Sequence, residues 1–276
     1  MKILLLGASS YVGARLYVDL KKDFEVTGTY SSNRLSDVFV RVDITRTDEV
    51  HMIIEKTRPD VIIHAANNAS STWCEKNEEK ARELNELSTR YIVDAANEIQ
   101  AKVIYISSFA ALQPMNVYSE TKRHSEEIVK MTQAGWIILQ PSLILGYSPN
   151  TSNDRPFNRL LRNLDGTKKA EYDTSWKFQP TWIGHISEVI KIVLDRNIKN
   201  EIIPIASVDL VSRYDVARDI LSPFDIPVSP IDTHDRTATM ETRLVKLTEL
   251  NLPVHTYQEV VDLIVKEIRN KEVFNI

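Results

Sequence analysis

The chain has 276 residues, 43% hydrophobic and 26% charged, with a net charge of −4, which is ordinary for a soluble globular protein large enough for one α/β domain plus a smaller lobe. Lys and Arg are scattered rather than clustered, which excludes a nucleic-acid surface, and the lone Cys74 excludes an internal disulfide and fits a reducing compartment. No stretch approaches the ~18 uninterrupted apolar residues of a membrane span, and the run Ile3 to Leu6 is too short for a signal sequence, so no membrane partner and a cytoplasmic location are expected.

In chain order, Lys2 to Gly7 reads as a strand, 11–22 as a helix, Phe24 to Tyr30 as a strand, and Thr47 to Thr57 as a helix capped by Thr47 with acids in its first turn. Asp60 to Ala66 follows as a strand, then a long helical stretch from about Glu75 to Ile99, then a strand from Lys102 to Ser108. This alternation is the mark of a parallel sheet covered on both faces, so the fold class is α/β, a doubly wound Rossmann sheet. After Trp136 to Gly146 the rhythm loosens, with Pro and Asn gathering in YSPNTSNDRPF and a polar segment NLDGTKK. The expected organisation is a dinucleotide-binding domain over 1–146 and a smaller C-terminal substrate lobe over 147–276, interleaved with the first through a returning strand at 201–206. Helices are expected in EVIKIVLDRN and DVARDIL. The last helix, 257–270, carries Val260, Val261, Ile264 and Ile268 on its apolar side.

The loop GASSYVG places Gly7 and Gly13 between a strand and a helix. A pyrophosphate needs such a setting: a tight turn, backbone amides it can approach, and a helix N-terminus aimed at anionic oxygens. Ser9, Ser10, Tyr11 and Val12 complete this candidate cofactor loop, with Ser10 in place of the central glycine; a purely structural turn is the alternative. At the end of the second strand, where an NAD site usually carries an acid, stand Tyr30, Ser31, Ser32, Asn33 and Arg34. With no acid and Arg34 at hand, a 2′-phosphate is accommodated, so NADPH is expected, with NADH possible. Asp43 and Ile44 are candidates to meet the adenine, although helix capping by Thr45 or Thr47 explains the neighbourhood equally well. In NVYSETK, Tyr118 and Lys122 stand one helical turn apart and project to one side. Facing solvent they are ordinary surface residues; facing a cofactor, the ammonium can lower the phenol pKa.

In order, the segments GASSYVG, RPDVIIHAANNAS, LNELSTRYIVDAANE, VIYISS, NVYSETK, LQPSLILG, FQPTWIGHISEVI and TRLVKLTELNL resemble an extended short-chain dehydrogenase/reductase. In detail they are most similar to the dTDP-4-dehydrorhamnose reductase family of sugar-nucleotide 4-ketoreductases. The resemblance implies Tyr118 as proton donor, Lys122 on the nicotinamide ribose, and Ser108, in preference to Ser107, as hydrogen-bond donor to the substrate oxygen. It places Ala65, Ala66 and Asn67 along the cofactor's ribose and pyrophosphate, Pro141, Ser142 and Leu143 beside the nicotinamide, and Asn85 as a prop of the site. Gln179, Pro180 and Thr181 fall on a substrate-facing turn, and Arg243 on an arginine suited to phosphate; His185 is expected to be structural.

The implied reaction is NADPH-dependent reduction of the 4-keto group of a nucleotide-linked 6-deoxyhexose in deoxysugar biosynthesis. Phe109 and Ala110 stand where related dehydratases carry Asp and Glu, which argues against dehydration, and the short segment from Ser108 to Tyr118 implies a more open sugar pocket. A sugar-nucleotide 4-epimerase is an alternative, disfavoured because such enzymes hold NAD. A non-catalytic NADP-binding regulatory subunit is another, disfavoured by the joint presence of Ser108, Tyr118 and Lys122. Homodimers occur among such proteins, and no metal-binding motif is read.

Overall fold

The computed structural model describes residues 1–166 and 169–276; residues 167–168, inside the polar segment NLDGTKK, lie outside the described residues. The first half runs β1 (Lys2–Leu6), α1 (Tyr11–Leu20), β2 (Glu25–Tyr30), β3 (Val40–Arg41), α2 (Thr47–Thr57), β4 (Val61–His64), α3 (Ser71–Lys76), α4 (Glu78–Arg82), α5 (Ser88–Glu98), β5 (Lys102–Ile106), α6 (Val117–Val129) and β6 (Trp136–Pro141). The second half adds β7 (Leu143–Leu145), α7 (Pro156–Leu161), β8 (Ala170–Asp173), β9 (Lys177–Phe178), β10 (Pro180–Trp182), α8 (Ile183–Asp195), β11 (Glu201–Ile205), β12 (Val211–Ser212), α9 (Arg213–Leu221), β13 (Val228–Ile231), α10 (Val245–Glu249) and α11 (Tyr257–Arg269).

Seven strands form one parallel sheet in the order β11-β6-β5-β4-β1-β2-β3. β1 is apolar from Ile3 to Leu6 because both faces are covered there. Ile3 and Leu5 pack with Leu16 and Leu20 of α1 and with Ile186 and Val189 of α8. Leu4 and Leu6 pack on the other side with Ile53 and Ile54 of α2 and Ile92 and Val93 of α5. The strand order reverses between β1 and β4, and the crevice at the carboxyl ends of such strands is where doubly wound sheets hold ligands.

Three expectations need correction. The stretch from Glu75 to Ile99 is not one helix. Asn77 leaves helical geometry at φ −138° and ψ 51°, and Glu83–Leu87 is a turn of π-helix, where the Asn85 carbonyl accepts hydroxyls of Thr89 and Ser125 that compete with the regular ladder. Thr47 is not the cap of α2: that position is Arg46, which makes no side-chain capping bond. Asp43 Oδ1 instead holds Thr45 N and Oγ1 at 3.0 and 2.8 Å. The run Trp136 to Gly146 divides, with β6 in the large sheet and β7 leaving it to pair in parallel with β10. Pro180–Trp182 is therefore a strand and not a turn.

Returning to the large sheet, β11 takes its edge beside β6. Beyond it lies a second core in which Phe157, Phe178, Val216 and Ile220 meet Val260, Val261, Ile264 and Ile268 of α11. A buried ionic cluster links the two cores: Arg15 of α1 contacts Asp19 and Glu267 of α11, both at 2.7 Å. Glu267 also accepts from Trp182 Nε1 at 2.8 Å, and Asp19 from Ser187 Oγ at 2.8 Å. Among the described residues no helix is long and apolar enough to cross a membrane.

Candidate active site

The loop after β1 owes its shape to two glycines. Gly7 has φ +86°, and a Cβ there would lie 2.8 Å from the Ala66 backbone; at Gly13 a Cβ would lie 2.0 Å from the Gly7 carbonyl oxygen. Neither position has room for a side chain, so α1 starts hard against the turn. Ser10 caps that helix, its Oγ accepting from Gly13 N at 3.0 Å, which gives the residue in place of the central glycine a role of its own. The first-turn amides of Tyr11 and Val12 have no intrahelical acceptor by position, and no acid sits in that turn. The Tyr11 hydroxyl donates to the Gly146 carbonyl at 2.5 Å and the Ser9 carbonyl accepts from Asn150 Nδ2 at 2.6 Å. The loop after β7 thus clamps this turn.

A cleft of about 410 Å³ opens at the carboxyl ends of the central strands. Its wall contains Ser10, Tyr11 and Val12 after β1; Ala65 and Asn67 after β4; Ser108 after β5; Tyr118 of α6; and Pro141, Ser142 and Leu143 after β6. Gly7, Ser9, Gly13 and Ala66 shape the turn without lining this cavity. Tyr30, Ser31, Asn33, Arg34, Asp43 and Ile44 stand at the ends of β2 and β3, outside it. There Arg34 reaches Asp37 at 3.0 Å in an exposed pair, Asp43 is occupied with Thr45, and Ile44 is buried in the core.

Three sequence-derived substrate candidates are not brought to the cleft. Thr181 is fully buried; its Oγ1 accepts from Ser142 N at 2.9 Å and donates to the Ile205 carbonyl, bracing β10 against the β6–β7 junction. Gln179 is buried with its Oε1 accepting from Thr242 N at 2.8 Å. Arg243 is exposed.

Tyr118 and Lys122 share one face of α6 but make no direct bond. Lys122, 1% exposed, donates through Nζ to Tyr105 OH at 3.1 Å and to the Ile106 carbonyl at 2.8 Å. Burial pushes it down to about 7, opposed by Glu126 and reinforced by Arg155. The Tyr118 phenol is raised by burial and drawn back by Ser108 and Arg155. Ser107 Oγ donates to Glu126 Oε1 at 2.5 Å, whereas Ser108 Oγ accepts from Ala110 N at 3.2 Å and stands beside the Tyr118 phenol. Asn85 grips the loop after β4 by both backbone groups of Asn68, accepting from its N at 2.8 Å and donating to its O at 3.0 Å.

The structure adds residues that sequence reasoning missed. Glu126 is buried, one turn beyond Lys122 on the same face, and burial raises its carboxyl; extending the Tyr118–Lys122 spacing by four would have found it. Arg155 lines the cleft with no ion pair or side-chain hydrogen bond to any described residue, and nothing in its local sequence marks it. Met240 reaches the cleft because its loop bridges to Phe178, a contact between distant segments.

Comparison with known proteins places these features among relatives. The family model described as RmlD substrate binding domain matches residues 1–244. A dTDP-4-dehydrorhamnose reductase of Aggregatibacter actinomycetemcomitans is 26% identical over 238 residues, 78% of this chain and 76% of that protein. A methionine adenosyltransferase 2 subunit beta of Danio rerio is 20% identical over 250 residues, 83% of this chain and 75% of that protein. The crystal structure of dTDP-4-dehydrorhamnose reductase from Bacillus anthracis in complex with NADP superposes with a TM-score of 0.81 at 18% identity, covering 96% of this chain and 99% of that one.

Proposed function

Since this chain belongs to the RmlD substrate binding domain family, we propose that it is an NADPH-dependent reductase acting on the 4-keto group of a nucleotide-linked 6-deoxyhexose. One observation carries the reading: Ser108, Tyr118 and the open amides of α1 line the same cleft at the strand switch point. The turn fits a dinucleotide, because the Gly7 and Gly13 positions leave the close backbone approach that a pyrophosphate requires.

In this reading the amides of Tyr11 and Val12 hold the pyrophosphate and Ala65 to Asn67 flank it. Pro141, Ser142 and Leu143 border the nicotinamide, and Lys122 turns from Tyr105 to the ribose. Arg34 exchanges Asp37 for the 2′-phosphate, at little cost because an exposed ion pair is worth only ~0–1 kcal/mol. When bound, NADPH would supply the hydride that converts the carbonyl carbon to an alcohol carbon. Tyr118 donates its proton to the carbonyl oxygen as charge develops there, and is reprotonated from solvent. Ser108 donates its hydroxyl hydrogen to the same oxygen.

The test is NADPH oxidation on addition of a dTDP-4-keto-6-deoxyhexose, with Tyr118→Phe expected to slow turnover by about 10²–10⁴-fold. Undiminished turnover in that variant overturns the mechanism. The likeness to methionine adenosyltransferase 2 subunit beta favours a second reading, a non-catalytic NADP-binding regulatory subunit. Tight NADPH binding without consumption across a panel of keto-sugar nucleotides selects it.

A further inference from the structure

Away from the cleft, α8 carries His185 and Glu188 one turn apart, and the segment leading into α11 brings His255 against them. One ligand atom from each of these residues can be chosen so that all lie within 4.8 Å of one another, and the two imidazole rings meet edge to face with centroids 4.6 Å apart. None of the three lines the cleft. The geometry points to a divalent-metal site built from His185, Glu188 and His255, suited to zinc or a neighbouring late transition metal.

The ligand chemistry decides the class of ion. Two imidazoles and one carboxylate form a borderline donor set, of the kind zinc takes with a water in the fourth position, whereas calcium and magnesium favour oxygen donors. His185 is arranged as metal-bound histidines are. Its Nε2 lies 2.9 Å from the Pro253 carbonyl, and donating there fixes the tautomer and leaves the Nδ1 lone pair open. His255 Nε2 and Glu188 Oε2 already stand 2.9 Å apart, and with Glu188 at 38% side-chain exposure an ion and its water can enter from solvent.

Sequence inspection had no access to this site, because its ligands are divided between a helix and a segment nearly seventy residues further on. The His255 carbonyl accepts from Val208 N at 3.1 Å. A bound ion would therefore cross-link α8 to the start of α11 and to the turn after β11, stapling the C-terminal helix to the large sheet.

The test titrates Zn²⁺ and Co²⁺ into the full chain stripped with chelator, read by calorimetry, by the visible bands of four-coordinate Co²⁺ and by thermal unfolding. One equivalent is expected, with the unfolding midpoint rising by about 5 °C at a hundredfold excess over Kd. Glu188→Gln and His255→Asn should each weaken binding about tenfold or more while leaving the metal-free midpoint close to that of the parent. Absence of binding, equal affinity in the parent and both variants, or an equal midpoint shift with Mg²⁺ would overturn the assignment.

Discussion

Lys122 is a cation the fold holds at a cost, and replacing it with methionine exposes that cost. The ammonium is 1% exposed and lies pushed from an ordinary 10.5 down to about 7, a difference worth about 5 kcal/mol. For a base whose folded pKa is depressed, the sign is destabilising: the full penalty applies below pH 7 and vanishes only above the unfolded value of 10.5. At pH 6 nearly all of it is present, and at pH 9 about 2 kcal/mol remains. Lys122→Met removes the penalty but strands Tyr105 OH and the Ile106 carbonyl, at about 1–3 kcal/mol each. Those losses do not titrate over this range. The stability of the variant relative to the parent should therefore fall by about 3 kcal/mol between pH 6 and pH 9, measured by urea unfolding at both pH values. Parallel pH profiles for the two proteins would refute the argument that burial depresses this ammonium. Loss of NADPH turnover in the same variant, with equal or better stability at pH 6, would mark a residue kept for function rather than for folding.

Thr181→Val should destabilise the chain by about 1–3 kcal/mol, through the unpaired Ser142 amide and Ile205 carbonyl; KM for a keto-sugar nucleotide should stay within about twofold, because the side chain does not face the cleft. Arg34→Ala should raise KM for NADPH about tenfold or more and leave that for NADH unchanged, with stability within about 0.5 kcal/mol, since its partner Asp37 is exposed. Asn85→Ala removes both bonds to Asn68; it should lower stability by about 2–3 kcal/mol and speed hydrogen exchange in the loop after β4.

The doubly wound sheet was legible because its strands are buried on both faces and its helices on one, and those patterns are local. β1, β4 and β5 show unbroken apolar runs, and α11 shows the 3.6 period in Val260, Val261, Ile264 and Ile268. The breaks at Asn77 and at the π-turn were illegible, because the hydroxyl of Ser125 that holds the Asn85 carbonyl belongs to another helix. The division of the run Trp136 to Gly146 was illegible for the same reason: Thr181, nearly forty residues on, holds the Ser142 amide where the strand leaves the sheet.

By itself, then, the sequence determined the order of strands and helices, the glycines that bring α1 against its turn, and the placing of Tyr118 and Lys122 on one face of a helix. Each follows from residue type and spacing over one or two turns of chain. Only the tertiary structure decided which way the polar groups turn: Lys122 toward Tyr105, Ser107 toward Glu126, Thr181 into the sheet and Arg155 into the cleft. A buried polar atom must find a partner wherever the packed chain supplies one, and those partners come from segments whose proximity no local pattern encodes.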